Sequence, residues 1–423
     1  MILDFVNRIK EQQELETSAR KGGLLVVFGR RRVGKTRLLA HWLRSRGGMY
    51  SQAIEGPLDM QIQQVFADIR PQLSTQIVPK SWPEFLEVLT MQKKPWSLCL
   101  DEFPYLTAVD ASLPSQLQKW LDHSMPRDCQ LILAGSSTRM MNDLFLNRSA
   151  PLYGRAHKLL HVQPMDYAAF CDACALKPAD MASFEKYSLV GGIPKYWEFV
   201  EKGHDVVALA EALYFDFAPY MEQEPQRILR DEGVTGASAL SVLEAVGRGA
   251  ERPSEIATRL GVVQTNLSRL LQQLLDASVL GRELPFGESM RTTKKVLYRI
   301  QDPTIRFWFR VYSPHQSLWR TFDAAQKQKL IHDHASTVFE DACRARYDGA
   351  ARYWEKDVEL DIVAKHPQNP TGVVAVEVKW RKLSAQERRN VMSQLQQKWA
   401  RTALSQKYPI VRFEVMDAMD LLR

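Results

Sequence analysis

The chain has 423 residues, more than one ordinary core accommodates, since single cores stop growing at roughly 250 to 300 residues; three or four modules are expected. Its 45% hydrophobic and 25% charged residues exclude a collagen-like or disordered chain. The formal net charge of +7 is too small to imply nucleic acid by its sum, but Thr371 to Arg423 carries ten Lys or Arg against five Asp or Glu. That excess fits a phosphate-rich partner for the last module or a solvated basic helix face.

Five cysteines stand at 99, 129, 171, 174 and 343. Cys171 and Cys174 form a lone CxxC with no second pair to complete a zinc site, so helix packing is the simpler reading. A reducing cytoplasmic setting is expected. Asp4 interrupts the amino terminus where a signal peptide needs a basic and then an apolar run, and no stretch reaches roughly 18 apolar residues, so no membrane partner is expected.

In chain order, Gly22-Gly-Leu-Leu-Val-Val-Phe28 predicts a buried strand, followed by a glycine-rich turn and a helix over 37–45. Trp96 to Leu100 and Gln130 to Ala134 are the length of strands buried on both faces, with helical stretches such as Ser115 to His123 between them. This alternation predicts a parallel α/β sheet with helices on both faces over 1–164. Between about 165 and 235 strand signals vanish and helical periodicity takes over around Val190-Gly-Gly-Ile-Pro194, which reads as a helical lid. Residues 236–302 hold two helices around a turn at Gly261, then the strands Val279 to Glu283 and Val296 to Ile300, the pattern of a winged helix. Residues 303–423 predict a final α/β module.

Gly29-Arg30-Arg31-Arg32-Val33-Gly34-Lys35-Thr36 satisfies GxxxxGK[ST] between a strand and a helix, the context that makes the motif informative. Glycines let backbone N–H groups face ATP phosphates at the positive end of the helix, Lys35 reaches the outer phosphates, and Thr36 ligates Mg²⁺. Asp101-Glu102 ends a buried strand; Asp101 supplies the metal-side carboxylate and Glu102 a general base for water. Ser136 or Ser137, after Ala134-Gly135, would sit beside the γ-phosphate if its strand lies between the other two. Arg155 could stabilise phosphoryl transfer within the subunit or across an oligomer interface, or be an ordinary surface arginine.

The order Phe5-Val-Asn7-Arg8, Gly29 to Thr36, Leu100-Asp-Glu-Phe103, Ala134-Gly-Ser-Ser137, Leu152-Tyr-Gly-Arg155 and Gly191-Gly-Ile-Pro194 resembles the archaeal-type ATPases. These are P-loop ATPases of the signal-transduction type, related to AAA+ proteins. The resemblance covers residues 1 to about 300. It implies that Asn7 and Arg8 lie near the adenine and that Gly191 to Pro194 begins the lid.

A second constellation follows. In Glu377-Val-Lys379 strand alternation places both polar side chains on one face. Asp361, on an earlier apolar strand, can join Glu377 in holding Mg²⁺ or Mn²⁺, while Lys379 holds or activates a water. Glu340 stands on an upstream helix. The set resembles the PD-(D/E)XK nuclease superfamily, a restriction-endonuclease-like fold, although Leu360 rather than proline precedes Asp361. A cross-strand salt-bridged pair would look similar.

Thr265-Asn-Leu-Ser-Arg269 opens the second helix of the winged-helix pattern, where small polar residues and an arginine could reach a DNA groove. Packing on the ATPase as a regulatory element is the competing reading. Two functions follow: an ATP-regulated, metal-dependent DNA endonuclease, or an ATP-driven switch that binds DNA or a protein partner through a non-cleaving platform.

Overall fold

The computed structural model describes Phe5 and residues 7–75, 77–201, 203–291 and 293–421. The first sheet holds β1 (Gly23–Phe28), β2 (Met49–Gln52), β3 (Ser97–Asp101), β4 (Gln130–Gly135) and β5 (Ala156–His161) in the order β2-β3-β4-β1-β5. Every pairing is parallel. β3 and β4 are buried along nearly their whole length, which is why they read as continuous apolar runs rather than alternating ones. Leu25, Val27 and Ile132 join one core with helix Lys35–Arg46, while Leu24, Val26 and Leu133 join the other. β4 lies between β3 and β1, so the loops after all three strands open onto one edge.

The segment expected to form the lid comprises helices Tyr167–Cys174, Met181–Val190, Pro194–Trp197, Val206–Ala210 and Glu224–Asp231. Cys171 is buried in the core that the lid shares with the sheet, as expected of a packing residue. Residues 237–300 form helices Ala237–Gly247, Pro253–Leu260 and Gln264–Asp276, then the antiparallel pair β6 (Leu280–Glu283) and β7 (Leu297–Ile300). Leu267, Leu271 and Leu274 bury the 3.6-residue stripe of the third helix.

Sequence places residues 303–322 with the last module; the structure corrects this. Phe307, Val311, Tyr312 and Trp319 bury into the ATPase and lid core, and Ile305 and Phe309 into the core of residues 228–309. Aromatic density in this segment serves two cores at once. The last module begins at helix Ala324–Arg344, followed by β8 (Ala351–Glu355), β9 (Val358–His366), β10 (Asn369–Lys379), helix Ala385–Ala400 and β11 (Val411–Asp417). Its sheet runs β11-β10-β9-β8, with β8, β9 and β10 antiparallel and β11 parallel to β10.

Phe184 of the lid, fully buried, packs against Phe339 and Trp380 of this last module at ring-centroid distances of 5.6 and 5.0 Å. Phe286, between β6 and β7, joins the core on the other face of the same sheet, and its N–H donates to the Arg352 carbonyl at 2.8 Å. Phe184→Ala leaves a cavity at this seam and is expected to destabilise the protein by about 3 to 5 kcal/mol. Thermal unfolding followed by limited proteolysis checks this: earlier melting and new cleavage at the seam are expected, and wild-type behaviour would refute the packing argument.

Candidate functional site

The loop after β1 bends because Gly29 and Gly34 hold φ of +153° and +100°. A side chain at Gly29 would sit 2.4 Å from the Val162 carbonyl oxygen, so neither position suits another residue. Helix Lys35–Arg46 begins directly after Gly34 and points its positive end into the loop. Lys35 is buried; its Nζ donates to the carbonyls of Gly29 (2.8 Å) and Arg30 (3.2 Å) and to Ser136 Oγ (3.0 Å). Burial lowers its pKa, with Glu102 and Asp101 opposing. All three of its partners are neutral, so no carboxylate competes directly for the cation that a phosphate would take.

Thr36 Oγ1 donates to Asp101 Oδ2 at 2.7 Å, and Tyr50 donates to the same oxygen at 2.9 Å. A hydroxyl and a carboxylate side by side are the hard oxygen donors that suit Mg²⁺. Glu102 adopts a left-handed φ of 54°. Its carboxylate accepts from Ser136 N at 3.2 Å and Ser136 Oγ at 2.5 Å. Ser136 thus bridges Lys35 and Glu102 from the central strand.

Arg8 is buried: its guanidinium donates to Glu11 and to the carbonyls of Gln163 and Val33, each at 2.7 Å. It anchors the loop backbone from beneath, while Asn7 is exposed. Beside the loop lies a crevice of about 460 Å³ lined by Arg30, Thr138, His161, Tyr187, Gly192 and Asp302. Gly191 to Pro194 edges this crevice, with the Gly191 carbonyl accepting from the Trp197 indole at 2.8 Å.

Arg30, Arg31 and Arg32, expected from the loop motif to be nucleotide ligands, are each paired with a carboxylate from beyond the sheet: Arg30 with Asp302, Arg31 with Asp231 at 2.9 Å, and Arg32 with Glu224. Glu224 also accepts from Tyr196 at 2.6 Å. Next to Asp231, Glu232 accepts from Ser137 Oγ and from the N–H groups of Thr138 and Arg139, each at 3.1 Å, at the start of helix Thr138–Phe145. Arg155 stands before β5, at the end of the sheet opposite the phosphate loop, and pairs with Asp122 at 2.8 Å. It cannot serve the site of its own subunit.

The sequence reading found the loop, Asp101, Glu102 and Ser136, but not Tyr50, Glu224, Asp231, Glu232 or Asp302. Three adjacent arginines in one loop were the available signal, because so much like charge needs counter-charges.

In the last module, Asp361 and Glu377 lie on adjacent strands β9 and β10, and Asp361 Oδ2 accepts from Val378 N at 2.8 Å. Burial, then Glu377, raises the Asp361 carboxyl to about 6. Glu340, on the helix covering the other face, is raised to about 7 by burial, then by Asp361 and Asp341. Lys379 donates to Glu377 at 2.9 Å, the salt-bridged pairing that competes with a water-holding role; Lys398, which the sequence reading missed, donates to both Glu377 oxygens at 2.9 and 3.0 Å. Among the described residues no group of three or more His, Cys, Asp or Glu is arranged to hold a metal. With Glu377 taken up by two lysines, its arrangement does not fit a bound cation as it stands. The basic excess of this region is also largely spent within it: Arg381 pairs with Glu387, Arg388 with Asp417 and Asp420, and Arg401 with Asp357.

This fold and loop define a P-loop ATPase domain. Residues 5–200 match a family described as an ATPase domain predominantly from Archaea, and residues 308–391 match a family described as archaeal and bacterial proteins of unknown function. The chain is 25% identical to an uncharacterised protein of Methanocaldococcus jannaschii, over 93% of this chain and 91% of that one. It is similar in fold to a Walker-type ATPase of Pyrococcus abyssi, with a TM-score of 0.55 and 20% identity over 73% of this chain and 97% of that one. Among the described residues no helix is long and apolar enough to cross a membrane.

Lys35→Ala removes the buried cation of the loop and is expected to weaken ATP binding at least tenfold, read by titration with a fluorescent ATP analogue; unchanged affinity would refute the assignment. Glu340→Gln tests the second cluster. Its raised pKa means that the folded protein loses stability as pH rises from about 4.5 to about 7, so the amide should stabilise the protein at pH 8 by up to about 2 kcal/mol. That gain should fade by pH 5 in denaturant titrations; a gain independent of pH would contradict the burial argument.

Proposed function

We propose that the chain is an ATP-switched, DNA-binding protein whose nucleotide state controls phosphodiester cleavage by the last module. The observation that carries this reading is the run Arg30-Arg31-Arg32, whose three side chains join the phosphate loop to the lid at Glu224 and Asp231 and, at Asp302, to the hinge, the turn between β7 and helix Pro303–Phe307. ATP phosphates at the loop compete with those carboxylates for the same guanidiniums, so binding loosens or re-sets the contacts that hold lid and hinge. Lys35 and the loop N–H groups would bind the phosphates, Thr36 and Asp101 would hold Mg²⁺, and Glu102, placed by Ser136, would orient or deprotonate the attacking water. Mg²⁺ supplies charge neutralisation for phosphoryl transfer when bound. Arg8 and Asn7 flank the nucleotide, and Arg155 acts across a homo-oligomer interface.

For the last module, the order helix, three antiparallel strands, helix, parallel strand supports the restriction-endonuclease-like reading, with Asp361 and Glu377 as carboxylates, Lys379 beside them and Glu340 behind. The helices of residues 237–276 with the β6–β7 ribbon support a winged helix, whose Thr265, Asn266, Ser268 and Arg269 are exposed for DNA. One observation favours the second reading, a non-cleaving platform: Lys379 and Lys398 already neutralise Glu377.

Supercoiled plasmid with Mg²⁺ or Mn²⁺, with and without ATP, separates the readings. Cleavage is expected from wild type and not from Asp361→Ala, which should still hydrolyse ATP. Replacing Asp231 and Asp302 together by Asn should leave cleavage while abolishing its dependence on ATP. No cleavage by wild type under any of these conditions would favour the platform.

A further inference from the structure

Between the winged-helix region and the segment that follows it lies a cleft of about 520 Å³ lined by Arg248, Arg299, Arg306 and Arg310, with Glu251 as its acid. Four guanidiniums in one cleft repel one another, and three are compensated from within the protein. Arg299 reaches Glu283 at 3.0 Å and Asp341 at 3.3 Å, Arg306 reaches Asp341 at 2.8 Å, and Arg248 pairs with Glu244 at 2.5 Å. Arg310 is exposed and makes no hydrogen bond or ion pair among the described residues. Partial desolvation and the nearby Arg306 and Arg299 press against its charged form, with Asp333 and Glu340 opposing. A planar, permanently charged donor left without a partner among like charges suits a phosphate oxygen, which it can grip with two parallel N–H groups.

The position of the cleft narrows the ligand. Arg299 and Arg306 both grip Asp341, whose neighbour Glu340 feels the charge of Asp361. Asp341 therefore links the arginines of the cleft to the helix that carries Glu340, within electrostatic reach of Asp361. Arg248, with its side chain about half exposed (49%), stands with the exposed Arg310 at the solvent side of the cleft.

We propose that this cleft seats a backbone phosphate of the DNA strand delivered to the Asp361–Glu377 cluster, with Arg310 as the contacting residue. This rests on the DNA-cleavage reading above and adds a positioning residue to it. Arg310→Gln should weaken the full chain's binding to fluorescein-labelled duplex DNA, measured by anisotropy in Ca²⁺, about tenfold at low salt. It should also lower the slope of log affinity against log salt by about one, the signature of one lost phosphate contact. Arg310→Lys should recover most of the salt slope, and ATP hydrolysis should be unchanged in both variants, which excludes misfolding.

Wild-type binding and cleavage with an unaltered affinity and slope in Arg310→Gln would overturn the inference and leave the cleavage reading standing. Absence of DNA binding and cleavage in wild type would overturn both. ADP binding by Lys35→Ala that disappears when Arg310→Gln is added would assign the cleft to a free nucleotide instead, and also overturn the inference.

Discussion

Three adjacent positive charges in a loop built to receive phosphate are the constraint on which the rest of this molecule turns. Unpaired, they would repel one another and compete with Lys35. Arg32 takes a left-handed φ of 68°, and the three side chains reach Asp302, Asp231 and Glu224. The carboxylates come from the lid helix, its end and the hinge, so the loop cannot change its charge without affecting all three. Two of these arginines are largely shielded, with 19% and 20% of their side chains exposed. Pairs so placed are worth more than surface pairs and cost more when one partner is lost. Glu232 extends the connection by holding the first turn of the helix that follows Ser136.

The last module presents the opposite problem. Asp361, Glu377 and Glu340 bring acid together under burial, and the protein answers with Lys379 and Lys398 on one side and Arg299 and Arg352 on the other. A protonated carboxyl, a lysine or a metal ion can each relieve such crowding. The two lysines on Glu377 already supply that relief on one side, while burial leaves the Asp361 and Glu340 carboxyls with raised pKa values on the other.

The parts of this architecture set by local pattern were legible in the sequence. β1, β3 and β4 read as buried strands because each is a short apolar run; the phosphate loop read as such because its glycines and Lys35 have no cheaper explanation in that context. Alternation puts Glu377 and Lys379 on one face of their strand, and Asp361 stands out as an acid in an apolar one. What escaped depends on distance along the chain. Asp302 lies 272 residues from Arg30, and nothing local distinguishes it from the cap of the helix that follows. Lys398 looked like one more solvent-facing lysine on a polar helix until folding brought it onto Glu377. Arg155 carried the right chemistry at the wrong end of the sheet, which no motif records because strand direction is a property of the fold. The boundary at 303 failed for a related reason: an aromatic run reads as core, but not as whose core.

That run has a consequence for taking the protein apart. Phe307, Val311, Tyr312 and Trp319 complete the interior of the lid although they follow the helices and ribbon of residues 237–300 in the chain. An ATPase fragment ending at the expected boundary would lose part of its own interior and expose the apolar faces of Tyr214 and Phe215, which stack on Tyr312 and Trp319. The nucleotide-binding half is thus completed by chain that comes after the middle domain, and natural gene fusions or laboratory dissections that respect only linear order would separate a wall from the room it encloses.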